Sequence, residues 1–392
     1  MPDEAVAAVG GIGVDAFRAR VRAWLDEHCT ERYRGLQFRG DPDADWLTRM
    51  REWNNLLADA GLMGIDWPVE HGGRGLGIAH QAVLSEELDR ARAPGTLNPI
   101  GLANIAPSIM AFGTPDQQRR LLPPMLRGDE IWCQGFSEPG AGSDLAAIAT
   151  RAERTTDADG QAAWRVTGQK VWNTFGQIAD WCELLVRTDP GARRHDGLSC
   201  FLVDMSLPGS DVRPLRTAAG DADFCEIFLD GVLVPDDARL GAEGDGWRVA
   251  MTTLTFERSG VAHLHIGTRR RVRELIDDAR HAGYADDPVV RQRLATLWTE
   301  AELARLLSER ATARAVQGQP PGPESSLVKL AWGGATQHLA MAAANTLGLG
   351  ALAGEWGHEL LQSRSATIAG GTTEVNKNVV AERVLGLPRE PR

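Results

Sequence analysis

Cysteine is scarce in this 392-residue chain, and no two thiols stand close together. The five (Cys29, Cys133, Cys182, Cys200, Cys225) are odd in number and widely spaced. That argues against a disulfide framework or a Cys-x-x-Cys motif and leaves reduced, mostly buried thiols. Basic charge is also short, with 42 Lys and Arg against 53 Asp and Glu and a net charge of −11. A general nucleic-acid or anionic-membrane surface needs a basic footprint, so neither partner is expected. Ala331 to Gly354 holds no Asp, Glu, Lys or Arg. Its Gln337, His338, Asn345 and repeated glycines nevertheless suit a buried helix pair near a subunit contact better than a membrane span. There is no Gly-x-Ser-x-Gly elbow, no Gly-Lys-Ser/Thr phosphate loop and no carboxylate/His cluster at metal-ligand spacing, so no metal is expected. The opening Met1-Pro-Asp-Glu4 lacks a basic n-region, so no secretory signal and a cytoplasmic location are expected.

The rest is ordinary globular material, 43% apolar and 24% charged. Its length exceeds one hydrophobic core, so two or three domains are expected. Gly11-x-Gly13-x-x-Ala16 imitates a dinucleotide fingerprint, but no second strand ending in an acidic residue follows; Asp15 as a helix N-cap accounts for it better. Phe17, Val21, Trp24, Leu25 and His28 then recur at helical spacing, and helices are predicted over Trp46 to Ala60, Ala79 to Arg90 and Pro115 to Leu126. Beyond them the period changes. Short Val/Leu/Phe/Trp runs at Trp164 to Gly168, Cys182 to Arg187, Leu198 to Asp204, Val212 to Leu215 and Phe224 to Pro235 predict an antiparallel sheet or small barrel. From about Gly246 the helical period returns, with Val261, Leu264, Thr268, Val272, Leu275, Ile276 and Ala279 on one face, and Gln317 to Glu324 breaks it as a loop.

Four stretches could carry chemistry, and each also has a plain structural reading. Phe136 to Asp144 combines Pro139, Gly140 and Gly142 with two hydroxyls; it reads as a surface turn or as a backbone cradle for an anion or ring heteroatom. Trp172-Asn-Thr174 follows Gly168-Gln-Lys170 at a strand end, where a Trp is usually core but can cover one face of a planar heterocycle. Glu257 beside Arg258 is half of a solvated ion pair or an acid on an apolar helix. Gly370-Gly-Thr-Thr-Glu374 opens a helix over Val375 to Leu385, with a Thr as its cap. His263 and His265 are two apart on a helix and cannot pair as ligands.

Together these stretches resemble the acyl-CoA dehydrogenase family, nearly end to end. The resemblance rests on Trp132-Cys-Gln-Gly-Phe-Ser-Glu-Pro-Gly-Ala-Gly-Ser-Asp144, on Gly168-Gln-Lys-Val-Trp-Asn-Thr174, and on Ile368-Ala-Gly-Gly-Thr-Thr-Glu374 continuing into Val379 to Pro388. It implies an α+β fold with an N-terminal helical domain (1–128), a middle antiparallel β-barrel domain (129–240) and a C-terminal four-helix bundle (241–392). FAD would lie between barrel and bundle, in a homo-oligomer or heterotetramer. The implied FAD contacts are Gln134, Phe136, Ser137, Gly142, Ser143, Trp172, Asn173, Thr174, Thr372 and Glu374; Ser143, Arg258 and Gly371 would meet the acyl-CoA. The implied reaction removes the α-proton of an acyl-CoA thioester while the β-hydrogen leaves as hydride to flavin N5. It gives a trans-2-enoyl-CoA and passes electrons to an electron-transferring flavoprotein. A thioester α-C–H is too weak an acid for a free carboxylate, so its carbonyl must be polarised and the base desolvated.

The departures from the family pattern shape the assignment. Medium- and short-chain members carry the catalytic Glu at the position of Gly370, which has no side chain. Isovaleryl- and long-chain-type members place it on a C-terminal-domain helix before an Arg, as in Leu254-Thr-Phe-Glu257-Arg258, so Glu257 is the expected base. The family's Arg-x-x-Phe-Gly is replaced by Gly283-Tyr-Ala-Asp-Asp-Pro288, and its Gln-x-x-Gly-Gly-x-Gly by Asn345-Thr-Leu-Gly-Leu-Gly350. Divergent relatives of this kind, with Phe-Ser-Glu-Pro and Gly-Gly-Thr, include heteromeric enzymes acting on bulky steroid side-chain thioesters. Two alternatives stay open: an FAD-binding partner subunit of a heteromeric dehydrogenase, and a flavin oxidase or monooxygenase on the same scaffold.

Overall fold

The computed structural model describes residues 11–260, 265–317, 319 and 322–389, and of 258–260 the backbone only. The chain divides into two compact units, Met1–Phe256 and Glu257–Arg392.

The first unit opens with α1 (Val14–His28), α2 (Ala44–Asp59) and α3 (Ile78–Ala91), followed by a π-helical turn (Gly101–Ile105), α4 (Ala106–Phe112) and α5 (Pro115–Arg127). The expected Asp15 cap is corrected: Gly13 is the N-cap of α1, and Asp15 stands in its first turn, where a carboxylate favours the helix dipole. The predicted stripe does bury Phe17, Val21 and Leu25, against Trp53, Leu57, Val83 and Leu84. Inside this helical layer Glu87 accepts from Arg18, Arg22 and Arg90. Burial alone would raise its carboxyl, but the three guanidinium groups hold it down at about 2.

The sheet comprises β1 (Trp132–Gly135), β2 (Arg151–Thr156), β3 (Ala162–Thr174), β4 (Trp181–Arg187), β5 (Leu198–Asp204), β6 (Ser210–Leu215), β7 (Phe224–Pro235) and β8 (Arg239–Leu240). The order is β6-β7-β3-β2-β4-β5-β8, with β1 beside β4. The sheet is antiparallel as expected except at β4. β1 pairs with it in parallel from Trp132↔Trp181 to Gly135↔Leu184, and β2 meets it in parallel at Arg151↔Arg187. Cys182, Leu184 and Val186 of β4 face one core with Trp164, Phe201 and Ile227. Leu185 points the other way, toward Phe136, Leu198 and Ala250. Ala250 lies on α6 (Gly246–Gly260), the helix that closes this unit and runs on into the second.

The second unit contains α7 (His265–His281), α8 (Pro288–Val316), α9 (Glu324–Leu347), α10 (Leu349–Leu352), α11 (Glu355–Gln362) and α12 (Thr373–Arg383). Val272, Leu275 and Ala279 of α7 pack with Leu294, Leu297 and Ala301 of α8 and Leu339 and Ala343 of α9. Val261 and Leu264, expected on the same face, lie outside the described residues, as does His263. Among the described residues no helix is long and apolar enough to cross a membrane, including the uncharged stretch of α9 and α10.

Candidate active site

The candidate residues fall into two groups, each within its own unit. In the first, the loop Phe136 to Asp144 is bound to the edge of β3. Val171 N donates to Ser137 O at 2.9 Å, and Glu138 and Ala141 exchange backbone hydrogen bonds. Beneath it lies a fully buried ion pair: Lys170 Nζ donates to Glu138 Oε1 at 2.8 Å and to Phe136 O at 3.1 Å. Glu138 also accepts from Ala149 N at 2.7 Å and Thr150 N at 2.9 Å. Burial would raise the Glu138 carboxyl, but Lys170 and these N–H donors keep it below its ordinary value; burial also lowers the Lys170 ammonium, against the pull of Glu138. Glu138 is therefore the anchor of the loop, not a free acid. Ser137 is half-buried, whereas Gly142 and Ser143 are exposed at the loop's outer edge.

The register of β3 against β7 slips between Val171 and Asn173, and Trp172 fills the slip with φ +65°. A left-handed conformation costs a residue with a Cβ roughly 1–2 kcal/mol. Its effect here is to turn the indole outward, 61% exposed, edge-on to Phe224. An exposed aromatic plane held by strained backbone, beside half-buried Thr174 and the Ser137 hydroxyl, fits the face and polar edge of a planar heterocycle. Asn173 is turned inward instead. Its Nδ2 donates to Gln134 O at 2.6 Å, tying β3 to β1, and its Oδ1 is buried with no partner among the described residues.

α6 lies over the outer face of this sheet. Thr253 is fully buried, and its Oγ1 stands 2.9 and 3.1 Å from the two carboxyl oxygens of Glu183 on β4 and 2.7 Å from Ser108 Oγ on α4. Among the described residues Glu183 meets no charged partner, and desolvation pushes its carboxyl up to about 8 despite the Thr253 hydrogen bond.

The second group belongs to the other unit. Glu257 is half-buried on the last turn of α6. A Cβ placed on Gly370 would stand 3.8 Å from Glu257 Oε1 and 3.9 Å from Lys329 Cε. Gly370 and Gly371 both take positive φ (+66° and +91°), so the turn needs glycine for its backbone, while the Glu257 carboxylate and the Lys329 chain stand at ordinary contact distance from where a Cβ would be. Among the described residues the Gly371 N–H donates no backbone hydrogen bond, whereas its carbonyl accepts from Asn376 Nδ2 at 2.8 Å. Lys329, buried on α9, donates to Ala366 O at 2.9 Å just before the turn. Thr372 is the N-cap of α12, accepting from Val375 N at 3.2 Å, and Glu374 is exposed in that helix's first turn. The side chain of Arg258 lies outside the described residues.

Sequence reasoning assigned no role to Lys170, Glu183 or Lys329. The available signal was a charge inside an apolar run: Glu183 within Cys182 to Val186, and Lys329 within Leu327 to Trp332.

The three domain models of acyl-CoA dehydrogenases match this chain: the N-terminal domain over residues 14–129, the middle domain over 133–232 and the C-terminal domain over 244–385. The chain belongs to the acyl-CoA dehydrogenase family, whose members are flavoproteins and oxidoreductases. Among curated proteins it is similar to acyl-CoA dehydrogenase IpdE1 of Mycobacterium tuberculosis (strain ATCC 25618 / H37Rv), at 42% identity over 97% of this chain and 99% of the relative. Among solved structures it is similar to the Tcur3481-Tcur3483 steroid ACAD, with a TM-score of 0.84 and 31% identity over 96% of this chain and 98% of that one. It is also similar to a chain of the ChsE4-ChsE5 complex from Mycobacterium tuberculosis, with a TM-score of 0.80 and 29% identity over 97% and 100%.

Proposed function

We propose that this acyl-CoA dehydrogenase uses FAD and takes Glu257 as its base. The observation that carries the reading is the approach of the Glu257 carboxylate to the empty side of Gly370. Glycine there leaves room for a carboxylate arriving from another helix, and the next residue offers a backbone N–H. In this reading the Gly371 N–H donates to the thioester carbonyl oxygen, which acidifies the α-C–H. Glu257 then takes the α-proton on its carboxylate as the α,β double bond forms. FAD supplies the two-electron acceptor for the hydride that leaves the β-carbon. Ser137, Ser143, Trp172, Thr174, Thr372 and Glu374 would hold the cofactor; Ser143, Arg258 and Gly371 would meet the acyl-CoA. Electrons then pass to an electron-transferring flavoprotein.

Replacing Glu257 by Gln should leave FAD bound and lower the rate of flavin reduction by several powers of ten under anaerobic stopped flow. Wild-type reduction by that variant would sink the assignment.

The names of the solved relatives favour a further specification. One is a steroid ACAD and another a complex of two named components. We assign a bulky, polycyclic acyl-CoA ahead of a straight-chain one, and a second, related chain as partner. Anaerobic flavin bleaching against straight, branched and polycyclic acyl-CoAs tests the substrate class. The mass of the protein expressed alone and with a related chain tests the partner.

A further inference from the structure

The Glu183 carboxyl takes no part in the chemistry above, yet it sits with two hydroxyls at the junction of β4, α4 and α6. We propose that Glu183 is a positioning residue: as the protonated acid it clamps α6, through Thr253 and Ser108, and so fixes the helix whose next turn carries Glu257. For its catalytic meaning the proposal rests on the reading of Glu257 as the base; the clamp itself does not.

The count of protons supports the protonated form. Thr253 Oγ1 has one proton and two lone pairs. It faces both oxygens of Glu183 at 2.9 and 3.1 Å, Ser108 Oγ at 2.7 Å and Val249 O at 3.3 Å. An ionised Glu183 and the Val249 carbonyl would compete for that single proton, and the second carboxylate oxygen would stay bare in a fully desolvated place. With Glu183 protonated, its O–H and that of Ser108 donate to Thr253, and Thr253 donates to Val249 O. Every proton then has an acceptor, and the carboxyl oxygen left without a donor carries no charge. Among the described residues no charged group faces Glu183 from the packed elements. Gln134 of β1 and Leu202 of β5 stand opposite it across the sheet, and the Cys200 thiol of β5 is the titratable group that feels its charge. Ser108 belongs to the helix that directly follows the π-helical turn, so the clamp joins that irregular segment to the base helix.

Opening the clamp to water returns Glu183 to an ordinary carboxyl, which releases its proton above about pH 4.5. The closed state keeps the proton up to about pH 8. Opening therefore becomes easier as pH rises between these values and gains nothing further above them. Amide hydrogen exchange on the full-length holoprotein measures this directly. For peptides covering residues 246–256, protection corrected for the intrinsic rate should fall about tenfold per pH unit from 5 to 8 and then level off. Peptides of α1, beside the low-titrating Glu87, should stay flat over the same range. The Glu183→Gln variant should lose the slope.

A flat wild-type profile for 246–256 overturns the proposal, as does a slope that survives in Glu183→Gln. The wild-type profile decides by itself if that variant folds poorly. Thr253→Val carries the catalytic arm. It should lower protection of 246–256 at every pH and reduce kcat about ten- to a hundredfold with little change in KM. Lost protection with unchanged kcat removes the positioning role. Should Glu257→Gln keep full turnover, the base assignment fails while the exchange profile still reports on the clamp.

Discussion

Glu138 and Glu183 belong to the same sheet region, both nearly or wholly removed from water, and they respond in opposite directions. Glu138 is held ionised by a buried lysine and two backbone N–H donors. Among the described residues Glu183 meets only the Thr253 hydroxyl, and burial pushes it up to about 8. Burial alone therefore does not set the charge of a carboxyl; the partners decide it. The loop that offers hydroxyls to a cofactor is anchored by a charge pair, whereas the helix that leads to the candidate base is anchored by a neutral acid.

The widest break in this contrast is to take away the cation. Lys170→Met leaves the Glu138 carboxylate buried without its counter-charge, and should lower stability by about 3–5 kcal/mol in urea unfolding at neutral pH. A loss below about 1 kcal/mol would show that water already reaches the pair. The double change Lys170→Met/Glu138→Gln should recover about 2 kcal/mol of that loss, since the uncompensated charge is gone; additive losses would mean that the two residues do not act together. A further test, spread over several pH units, concerns the other member. The folded-state value of Glu183 lies above that of an unfolded carboxyl, so its contribution is fully present below about pH 4.5 and lost as pH rises toward 8. Through this group the wild type should lose about 1.4 kcal/mol per pH unit across that window, and Glu183→Gln should remove the slope in urea titrations.

Much of the frame was legible because it is written in local chemistry. The apolar period changes between the helical segments and the strands, and β5 and β7 begin and end where the Val/Leu/Phe runs do. β1 and β2 were not anticipated. The first is four residues inside a Gly-rich motif, and the second, Arg151–Thr156, shows only one buried side chain and so no alternation. Its place in the sheet comes from pairing with β3, which no local pattern encodes. The glycine turn and the bulge Trp were readable as motifs, but what surrounds them was not. Glu257 reaches Gly370 across more than a hundred residues, and Glu183 finds Thr253 seventy residues away. Such partners are set by how α6 lies on the sheet and how the late turn packs on α9, and spacing along the chain is silent on both.

Lysine occurs three times in the chain, at 170, 329 and 377. The first two are the buried props of the loop and of the glycine turn, and Lys377 alone is exposed, on α12. Amine-directed reagents thus meet a folded protein with one accessible side chain, close in sequence to the glycine turn. Among side-chain amines a dye or cross-linker placed there would be nearly site-specific without engineering, and the appearance of label on Lys170 or Lys329 would itself be a record of unfolding.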